Sequence, residues 1–398
     1  MITEARKRYN EFFTEEKYQQ FLQALNNHYK SPVNFRVAET PVFIGRSFKH
    51  KLIEASDEII AFLLRDDFKK LTERSIPEKL RVPGEDNHPL FLALDFAVVK
   101  NIEGELMPQL IEMQGFPSLF GWQDFLSNQY RTHFPVPDNL HPHFDLSSEA
   151  YRTLLRRVLL NGHDPENVIL LEIEPYKQNT SIDFVVTREY TGIEPVHIGD
   201  LKRAGKKLFY IRNGKDIPVE RIYNRVIFDE LSNRRDLQLE FNLTEPVAVE
   251  WAGHPNWFFR ISKYTMPFIR SRYVPECRFL SDYTSFPDDL QHYVLKPLFS
   301  FSGTGIKFHL TRDDLKEIPP AEYGNFLLQR KVNYEPVIQA PDGLVKTEIR
   351  LLFIWENGQS RPRLVTNLAR LSRGEMIGVK FNKNKTWVGG SVVFFEED

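Results

Sequence analysis

Apolar residues recur at helical spacing through the first 88 residues, which are rich in Glu, Lys, Gln and Leu. One set that would lie on a single side of a helix is Ile53, Ile59, Ile60, Leu63 and Leu64. The pattern changes after residue 88, where two apolar runs, PLFLALDFAVVK and LMPQLIEMQGF, flank a turn at Glu103-Gly104. We therefore predict an N-terminal helical region (1–88) followed by a β-hairpin.

The rest of the chain alternates helical stretches with short apolar runs bounded by turn residues. A helix is predicted around 147–160, and the run NVILLEIEP (167–175) is typical of a buried parallel strand that ends in a loop. Later segments predict a helix near Lys263, a strand in YVLKPL and two strands in IRLLFIWENG and PRLVTNLARL. The expected fold is mixed α/β. We divide it into the helical region, the hairpin with connecting helices (89–165), an α/β middle domain (166–250) and a C-terminal α+β unit (251–398).

The composition is that of a folded globular protein, with 41% hydrophobic and 27% charged residues. Because 52 basic residues face 54 acidic ones, the net charge of -2 gives no global attraction to nucleic acid or to a membrane surface. No run of ~20 apolar residues occurs, and charges interrupt any apolar core of a signal peptide near the start. A single cysteine, Cys277, fits a reducing compartment. We expect a cytoplasmic protein that binds neither nucleic acid nor membrane.

A lysine at the end of an apolar strand is followed at once by a loop of small residues. Lys296 and Pro297 end the strand, and the loop contains Ser300, Ser302, Gly303, Thr304 and Gly305. The two glycines permit positive φ and leave backbone N–H groups uncovered, so such a loop can fold closely over phosphates. It is not a Walker A motif, because Ile306 and Lys307 follow the last glycine. On these residues alone, a solvent-facing turn is the alternative.

Oxygen-bearing side chains cluster on the predicted hairpin. Glu112 and Gln114 are two positions apart on a strand and therefore point to the same face, and an antiparallel partner can bring Asp95 beside them. Two carboxylates and an amide oxygen suit Mg²⁺, which prefers octahedral oxygen coordination completed by water and phosphate. A solvated face of the hairpin is the alternative interpretation of the same residues.

Together these segments resemble the circularly permuted ATP-grasp proteins of the glutathionylspermidine synthase-like family. The matching segments are the Asp95 strand, Glu112-Met113-Gln114 with the Gly-Phe-Pro-Ser turn, the Lys-Pro strand with its loop, ILLEIEP, RIYNRVIFDEL, TNLARLSRG and TWVGGS. They cover most of residues 90–398, and permutation accounts for carboxylates that precede the lysines. Gln114 stands where the family prefers Asn, and Ala93 stands where the synthases have Arg. The synthases' amidase domain, with its catalytic cysteine, has no counterpart here.

The resemblance implies an ATP-grasp-like fold with an α/β pre-ATP-grasp-type middle domain and with ATP between two sheets. Lys263 and Lys296 would bind the phosphates together with the small-residue loop 300–305. The ligands of Mg²⁺ would be Asp95, Glu112 and Gln114. The hinge at adenine would consist of Gln329, Arg330, Lys331 and Val332, with Glu335 as a ribose contact.

A second polar set lies on the two late strands. In the permuted order, Arg350 and Arg370 would neutralise phosphate or an acyl-phosphate intermediate. Surface salt bridges to nearby carboxylates are the alternative. In the unpermuted order, Glu348 and Asn367 would themselves be the metal ligands.

The activity that the resemblance implies is an ATP- and Mg²⁺-dependent ligase, which joins a carboxylate to an amine through an acyl phosphate. Its substrates would be small molecules or peptides. Two other functions fit the same residues. One is a phosphotransferase that stops after phosphoryl transfer. The other is a nucleotide-binding protein without turnover, which the departures at Ala93 and Gln114 make credible.

Overall fold

The computed structural model describes residues 1–298, 305–378 and 381–398. Its α-helices are α1 (Thr3–Phe12), α2 (Glu15–His28), α3 (Arg46–Leu63), α4 (Phe68–Leu71), α5 (Phe120–His133), α6 (Ser148–Leu160), α7 (Ser181–Thr191), α8 (Phe228–Asn233), α9 (Trp257–Arg260) and α10 (Arg312–Lys316). Its strands are β1 (Val42–Ile44), β2 (Phe91–Lys100), β3 (Leu106–Gln114), β4 (Leu140–His141), β5 (Val168–Glu172), β6 (Glu194–His197), β7 (Lys202–Ala204), β8 (Lys207–Arg212), β9 (Lys215–Val219), β10 (Arg221–Asn224), β11 (Glu250–Ala252), β12 (Cys277–Phe279), β13 (Tyr293–Pro297), β14 (Phe326–Arg330), β15 (Ile338–Ala340), β16 (Gly343–Ile354), β17 (Arg363–Ser372), β18 (Gly389–Ser391) and β19 (Val393–Glu396).

The helices predicted for the N-terminal region are present as α1 to α4. Thr14 caps α2, because its side chain accepts a hydrogen bond from the backbone N–H of Lys17. Phe21 of α2 and Ile59 of α3 are fully buried in the main core. The helices of this region are therefore held by packing against the rest of the molecule rather than by helix propensity alone.

A central antiparallel sheet carries the predicted hairpin. Its strand order is β18-β17-β16-β2-β3, with β15 paired to β16. The hairpin prediction is confirmed by the antiparallel pairing of β2 with β3. On its other side β2 pairs with β16, so the hairpin and the late strands form one sheet.

Side-chain alternation gives this sheet one apolar face and one that carries polar side chains next to a second apolar core with Ala93 and Leu352, which we call the polar face. Leu94, Phe96 and Ile349 point to the apolar face and are fully buried in the main core with Trp122 of α5. Asp95 lies between Leu94 and Phe96 and therefore points to the opposite face. The polar face is where the candidate site lies.

A second, parallel sheet forms the middle domain, with the strand order β11-β10-β5-β6. The predicted buried strand at 167–175 is confirmed as β5, which has parallel neighbours on both sides. Helix α6 matches the predicted helix, and Ser147 caps it by accepting a hydrogen bond from the N–H of Ala150. Strands β7, β8 and β9 form a separate antiparallel sheet after β6.

A third sheet, β12-β14-β13, lies near the glycine loop and has its own small core that includes Leu280, Leu295 and Leu328. Strand β13 is the predicted strand that ends in Lys296. Cys277 of β12 is buried, and burial raises the pKa of its thiol to about 12, so the thiol stays protonated at neutral pH. This environment agrees with a structural cysteine.

Two predictions about elements and class can be compared directly with the fold. The helix predicted near Lys263 is only a 3₁₀ helix, Lys263–Phe268, and Pro267 within it has no N–H for an α-helical hydrogen bond. The mixed α/β class is confirmed by the antiparallel and parallel sheets with their helices. In the described ranges, no helix combines the length and apolarity needed to cross a bilayer.

Candidate functional site

The strand register places four charged side chains together on the polar face of the central sheet. Asp95 of β2 lies opposite Arg350 of β16, and Glu348 of β16 lies opposite Arg370 of β17. The Arg350 guanidinium donates to both oxygens of Asp95, from Nε to Oδ1 at 2.6 Å and from Nη2 to Oδ2 at 2.7 Å. Nη2 of Arg370 donates to the same Oδ2 at 2.7 Å and also to Glu348. We call these four residues the Asp95 network.

Both carboxylates of the Asp95 network are almost fully buried, with 1% exposure at Asp95 and 2% at Glu348. Burial raises the pKa of Glu348, and the charge of Arg370 opposes this rise. Burial acts to lower the pKa of Arg370, but Glu348 and Asp95 outweigh it and raise that pKa. The hydroxyl of Tyr334 donates a hydrogen bond to the second oxygen of Glu348. The network thus pairs two carboxylates, Asp95 and Glu348, with two guanidinium groups, Arg350 and Arg370.

The partners of Asp95 bear on its predicted role as a metal ligand. The register does bring Asp95 opposite Glu112, as the hairpin pattern predicts. Both Asp95 oxygens, however, already accept hydrogen bonds from arginine. Arg350 is held further by a hydrogen bond from Nη1 to Oγ of Ser118 at 2.8 Å. Coordination of Mg²⁺ by Asp95 stays a prediction, and in this arrangement the carboxylate offers no unshared oxygen.

Glu112, the neighbour of Asp95 on β3, has a very different environment. It is half-buried, and within the described residues its carboxylate has no hydrogen bond or ion pair. Its negative charge acts to raise the pKa of three cations, Lys263, Lys296 and Arg370. We call Glu112, Lys263 and Lys296 the Glu112 cluster. The charge of this one carboxylate therefore acts on cations from three separate parts of the chain, although it has no direct partner among the described residues.

The two lysines of the cluster reach it from outside the central sheet. Nζ of Lys296, at the end of β13, donates to the carbonyl oxygen of Ile111 at 3.3 Å. Nζ of Lys263 donates to the carbonyl oxygen of Pro297 at 3.2 Å. Both side chains are buried, and burial lowers the pKa of each lysine against the opposing charge of Glu112. An anionic ligand would restore the stability of the charged forms.

A cavity of about 70 Å³ opens beside Glu112. Its wall includes Gln114, Phe116, Ile227, Phe258, Lys263 and Leu298. The side chain of Gln114, like that of Glu112, has no hydrogen-bond partner among the described residues. One carboxylate and one amide oxygen next to a cavity fit part of an Mg²⁺ shell, which keeps water and phosphate oxygens as its other ligands.

The donor set at this cavity is small. Within residues 1–298, 305–378 and 381–398, no group of three or more His, Cys, Asp and Glu side chains is arranged to hold a metal ion. Glu112 and Gln114 could therefore hold Mg²⁺ only together with ligand oxygens, and not as a closed protein site. This is the usual situation for a metal that arrives with a nucleotide.

The contacts of Asn367 disfavour the unpermuted alternative, in which Glu348 and Asn367 bind the metal. Asn367 is fully buried, and its Nδ2 donates to the carbonyl oxygens of Pro142 and Val393 at 2.8 and 2.9 Å. Its Oδ1 accepts from the N–H of Val393 at 2.7 Å. The residue joins β17 to neighbouring backbone. It lies three positions from Arg370, so it points away from the polar face.

The predicted adenine hinge begins with Gln329 and Arg330 at the end of β14 and continues into the segment after that strand. Gln329 is buried and its Oε1 has no partner among the described residues. Arg330 forms an ion pair with Asp289 at 2.7 Å, and the N–H of Lys331 donates to the carbonyl oxygen of His292. Val332, the next residue, is half-buried.

Glu335 lies where the hinge segment reaches the central sheet. Its N–H donates to the carbonyl oxygen of Val98 at 2.8 Å, and its carboxylate pairs with Lys100 at 2.6 Å. The segment is thus tied to β2 beside the Asp95 network. Its contact with a nucleotide stays a prediction.

Most of the small-residue loop lies outside the described part of the chain. Ser300, Ser302, Gly303 and Thr304 lie outside the described residues. Gly305 has a φ of +74°, as predicted for a loop glycine, and a Cβ there would lie 2.9 Å from Cγ of Pro297. Glycine is therefore required at this position by both conformation and space.

Two polar contacts of the site were not predicted. Tyr334, which donates to Glu348, immediately precedes Glu335 in the hinge segment. Ser118, which accepts from Arg350, belongs to the Gly-Phe-Pro-Ser turn. Both residues lie within segments that belong to the sequence motifs. Their position in a motif could therefore have marked them as site residues, whereas their residue type could not.

Comparison with known proteins finds similarity in three-dimensional structure but not in sequence. No protein-family model matches the sequence, and no curated protein matches it. Among solved structures, the chain is similar to a glutathione synthetase like-effector (GSS30) from Globodera pallida in its apoform. The TM-score is 0.59, the sequence identity is 11%, and the match covers 96% of each chain. The chain therefore has a glutathione synthetase-like fold, which is related to ATP-grasp.

Proposed function

We propose that this chain is an ATP-dependent ligase that joins a carboxylate to an amine through an acyl phosphate. The observation that carries this proposal is that Lys263 lines one cavity with Glu112, while Nζ of Lys296 donates to the carbonyl oxygen of the adjacent Ile111. Such a group of cations suits a polyphosphate, and the lone carboxylate beside it suits the accompanying metal. The glutathione synthetase-like fold and the resemblance to permuted ATP-grasp proteins support the same activity.

In this proposal, Lys263 and Lys296 bind the phosphates of ATP. A buried lysine with a lowered pKa gains most from an anionic partner, which favours its charged form. The present cavity of about 70 Å³ is too small for a triphosphate. The sheet β12-β14-β13, which carries Lys296, would therefore move away from the hairpin when the nucleotide enters.

Glu112 and Gln114 would hold Mg²⁺, which supplies charge neutralisation at the phosphates when it is bound. Asp95 receives a different role from the one that the motif implies. Because Asp95 holds Arg350 through two parallel hydrogen bonds, it orients the arginines of the polar face. In this proposal, Glu112 and Gln114 bind the metal, whereas Asp95 positions the arginine side chains.

The reaction begins with attack of the substrate carboxylate on the γ-phosphorus, which releases ADP and gives an acyl phosphate. An amine then attacks the acyl carbon and displaces phosphate. Arg370, whose side chain is 39% exposed, would contact the phosphoryl oxygens. Arg350 is 8% exposed and acts through Asp95. Positioning and charge neutralisation supply most of the catalysis in such transfers.

A second candidate is a nucleotide-binding protein without turnover. It is favoured by the Asp95 network, in which both oxygens of Asp95 are shared with arginines. Of the two carboxylates predicted to bind the metal, Glu112 has no hydrogen-bond partner among the described residues, whereas Asp95 is held by arginine. Nucleotide would then bind at the Glu112 cluster without completing the reaction.

Release of ADP separates these functions when it is measured with amino acids, polyamines and short peptides as substrates. A ligase requires both a carboxylate and an amine for rapid ADP release, and Lys296→Ala should abolish it. Lys307→Ala is the matched control, because Lys307 is an exposed lysine of the same unit paired with Asp314. ADP release that never depends on an amine would indicate a phosphotransferase. Nucleotide binding without any ADP release would favour the second candidate.

A further inference from the structure

A second cavity, of about 260 Å³, lies between the N-terminal helices and the segment that contains α9. Its lining includes Phe68, His88, Trp257 and Trp355. Ile261 lines both this cavity and the smaller one at Glu112, so the two lie on either side of one segment. We call it the Trp355 cavity. None of the motifs in the sequence accounts for it.

Aromatic rings form much of the wall of the Trp355 cavity. The ring of His88 stacks on Trp355 with centroids 4.3 Å apart and an interplanar angle of 10°. Phe68 and Trp257 are also nearly parallel, at 7°, with centroids 6.4 Å apart. Leu64, another lining residue, is 40% exposed. Nζ of Lys69 lies 5.3 Å from the ring centroid of Trp257, which shows that these rings accept a positive charge. Walls of this kind also accept a slim apolar or aromatic body.

The cations that line the cavity already have anionic partners. Arg65 pairs with Asp67 through two hydrogen bonds at 2.8 and 2.7 Å. Lys69 pairs with Glu85 at 3.1 Å and also donates to the carbonyl oxygen of Asp86. Their positive charges are therefore compensated within the protein. The lining offers little to an anionic ligand.

Hydrogen-bond acceptors, in contrast, are left over. Asp66 is exposed, and in the described part of the chain its carboxylate has no hydrogen bond or ion pair. Burial lowers the pKa of His88, so its ring is neutral at neutral pH. Nδ1 of His88 lies 3.2 Å from the carbonyl oxygen of Pro89, which can only accept, so Nδ1 carries the proton and Nε2 is an acceptor. The carboxylate of Asp66 and Nε2 of His88 are thus the acceptors that the lining leaves to a ligand.

We propose that the Trp355 cavity binds a small organic cation, an ammonium group on an aromatic or slim apolar body. The apolar body would lie between the rings of Trp257 and Trp355, and the ammonium would pair with Asp66 and the acceptor nitrogen of His88. This site does not depend on the proposed ligase activity. Its ligand is defined by the aromatic wall and by the unpaired carboxylate together.

A charge series on one aromatic body tests this assignment with the full-length protein. Phenethylamine, phenylethanol and phenylacetate share a ring and differ in charge, and ligand-observed NMR titration measures the binding of each. For a ligand of this size we expect phenethylamine to bind with a Kd on the order of 1 mM. The neutral alcohol should bind more weakly, and the anion should bind weakest of the three.

Two variants at exposed positions link the binding to this cavity without threatening the fold. Asp66→Asn should weaken phenethylamine binding about threefold, the size of an exposed ion pair, and the effect should shrink at high salt. Leu64→Arg adds a cation to the lining and should weaken it at least as much. Glu103→Gln is the control, because Glu103 is an exposed carboxylate in the turn at the far end of β2.

Each result decides for or against the site. Selective binding of the amine that responds to Asp66→Asn and Leu64→Arg, but not to Glu103→Gln, supports it. Equal binding of amine, alcohol and acid would overturn the cation assignment. Amine binding that ignores both cavity variants, or no saturable binding up to about 10 mM, would overturn the site itself.

Discussion

Two carboxylates on different elements, Asp124 of α5 and Glu112 of β3, show what separates a structural charge from a ligand site. Asp124 is fully buried and its two oxygens have four side-chain partners: His143 at 2.9 Å, Ser148 at 2.6 Å, Arg152 at 2.7 Å and Tyr190 at 2.8 Å. Glu112 is half-buried and has no direct partner in the described part of the chain. The first carboxylate is satisfied by the protein, whereas the second has no direct partner there and acts only through its charge on Lys263, Lys296 and Arg370.

The same criterion applies to Asp95. The sequence motif groups Asp95 with Glu112 as a metal ligand. Its contacts instead resemble those of Asp124, because both of its oxygens accept hydrogen bonds from arginine. A carboxylate that the protein has satisfied is costly to remove and has little to offer a ligand. Hydrogen-bond saturation therefore separates positioning residues from binding residues within one polar face.

The largest expected effect is on stability, at the satisfied carboxylate. Asp124→Ala leaves His143 and its neighbours without their acceptor, and we expect a loss of about 3–5 kcal/mol in the free energy of unfolding. Chemical denaturation measures it. Glu112→Ala is the matched variant and should change the unfolding free energy by less than about 1 kcal/mol. Equal losses at the two positions would remove the distinction between them.

The same carboxylate predicts a pH dependence. Burial alone would raise the pKa of Asp124, but hydrogen bonds from His143 and Ser148 outweigh it and lower the pKa to about 2. A lowered folded-state pKa stabilises the protein above the ordinary value of 3.8, and this contribution is lost as pH falls through the folded value. About 2 kcal/mol should therefore disappear between pH 4 and pH 2 in the wild type. Acid titration of Asp124→Asn should lack this component.

The next effect concerns ligand binding at the unsatisfied site. Lys296→Ala should weaken ATP binding at least tenfold, or ~1.4 kcal/mol, because a buried phosphate-binding charge is lost. Calorimetric titration measures the affinity, and circular dichroism checks the fold. Lys307→Ala, an exposed lysine of the same unit, should leave the affinity unchanged. Full affinity in folded Lys296→Ala protein would exclude this lysine from the nucleotide site.

The smallest effect is expected at the loop beside the site. Gly305→Ala places a Cβ 2.9 Å from Pro297 at a φ of +74°, and should cost about 1 kcal/mol of stability. Gly324→Ala is the control, because its Cβ would meet no atom within 4 Å. Thermal denaturation compares them. A harmless change at Gly305 would show that the loop adjusts more easily than its contacts suggest.

The sequence predicted those parts of the site that depend on local periodicity. A period of two places Glu112 and Gln114 on one face, and the short turn at Gly104 allows β2 to bring Asp95 opposite Glu112. The same periodicity could have excluded Asn367, because an odd spacing from Arg370 puts the two side chains on opposite faces. The local sequence pattern is thus sufficient to predict which face of a strand each side chain points to and how the two strands of the hairpin pair.

The partners of Asp95 could not be predicted in this way. They depend on the pairing of β2 with β16, which brings Arg350 beside Asp95 from a distant part of the chain. No periodicity within either segment specifies that neighbour. The parallel strand β5 was predictable from its continuous apolar run, whereas its position between β10 and β6 is a property of the whole fold.

A crystal structure with a non-hydrolysable ATP analogue and Mg²⁺ tests the central claim most directly. The account predicts phosphates bound by Lys263 and Lys296, and a metal coordinated by Glu112 and Gln114, with Asp95 still hydrogen-bonded to Arg350. A metal coordinated by Asp95 or Glu348, with Glu112 turned to solvent, would contradict the division between binding and positioning residues. Phosphates bound away from both lysines would contradict the nucleotide site itself.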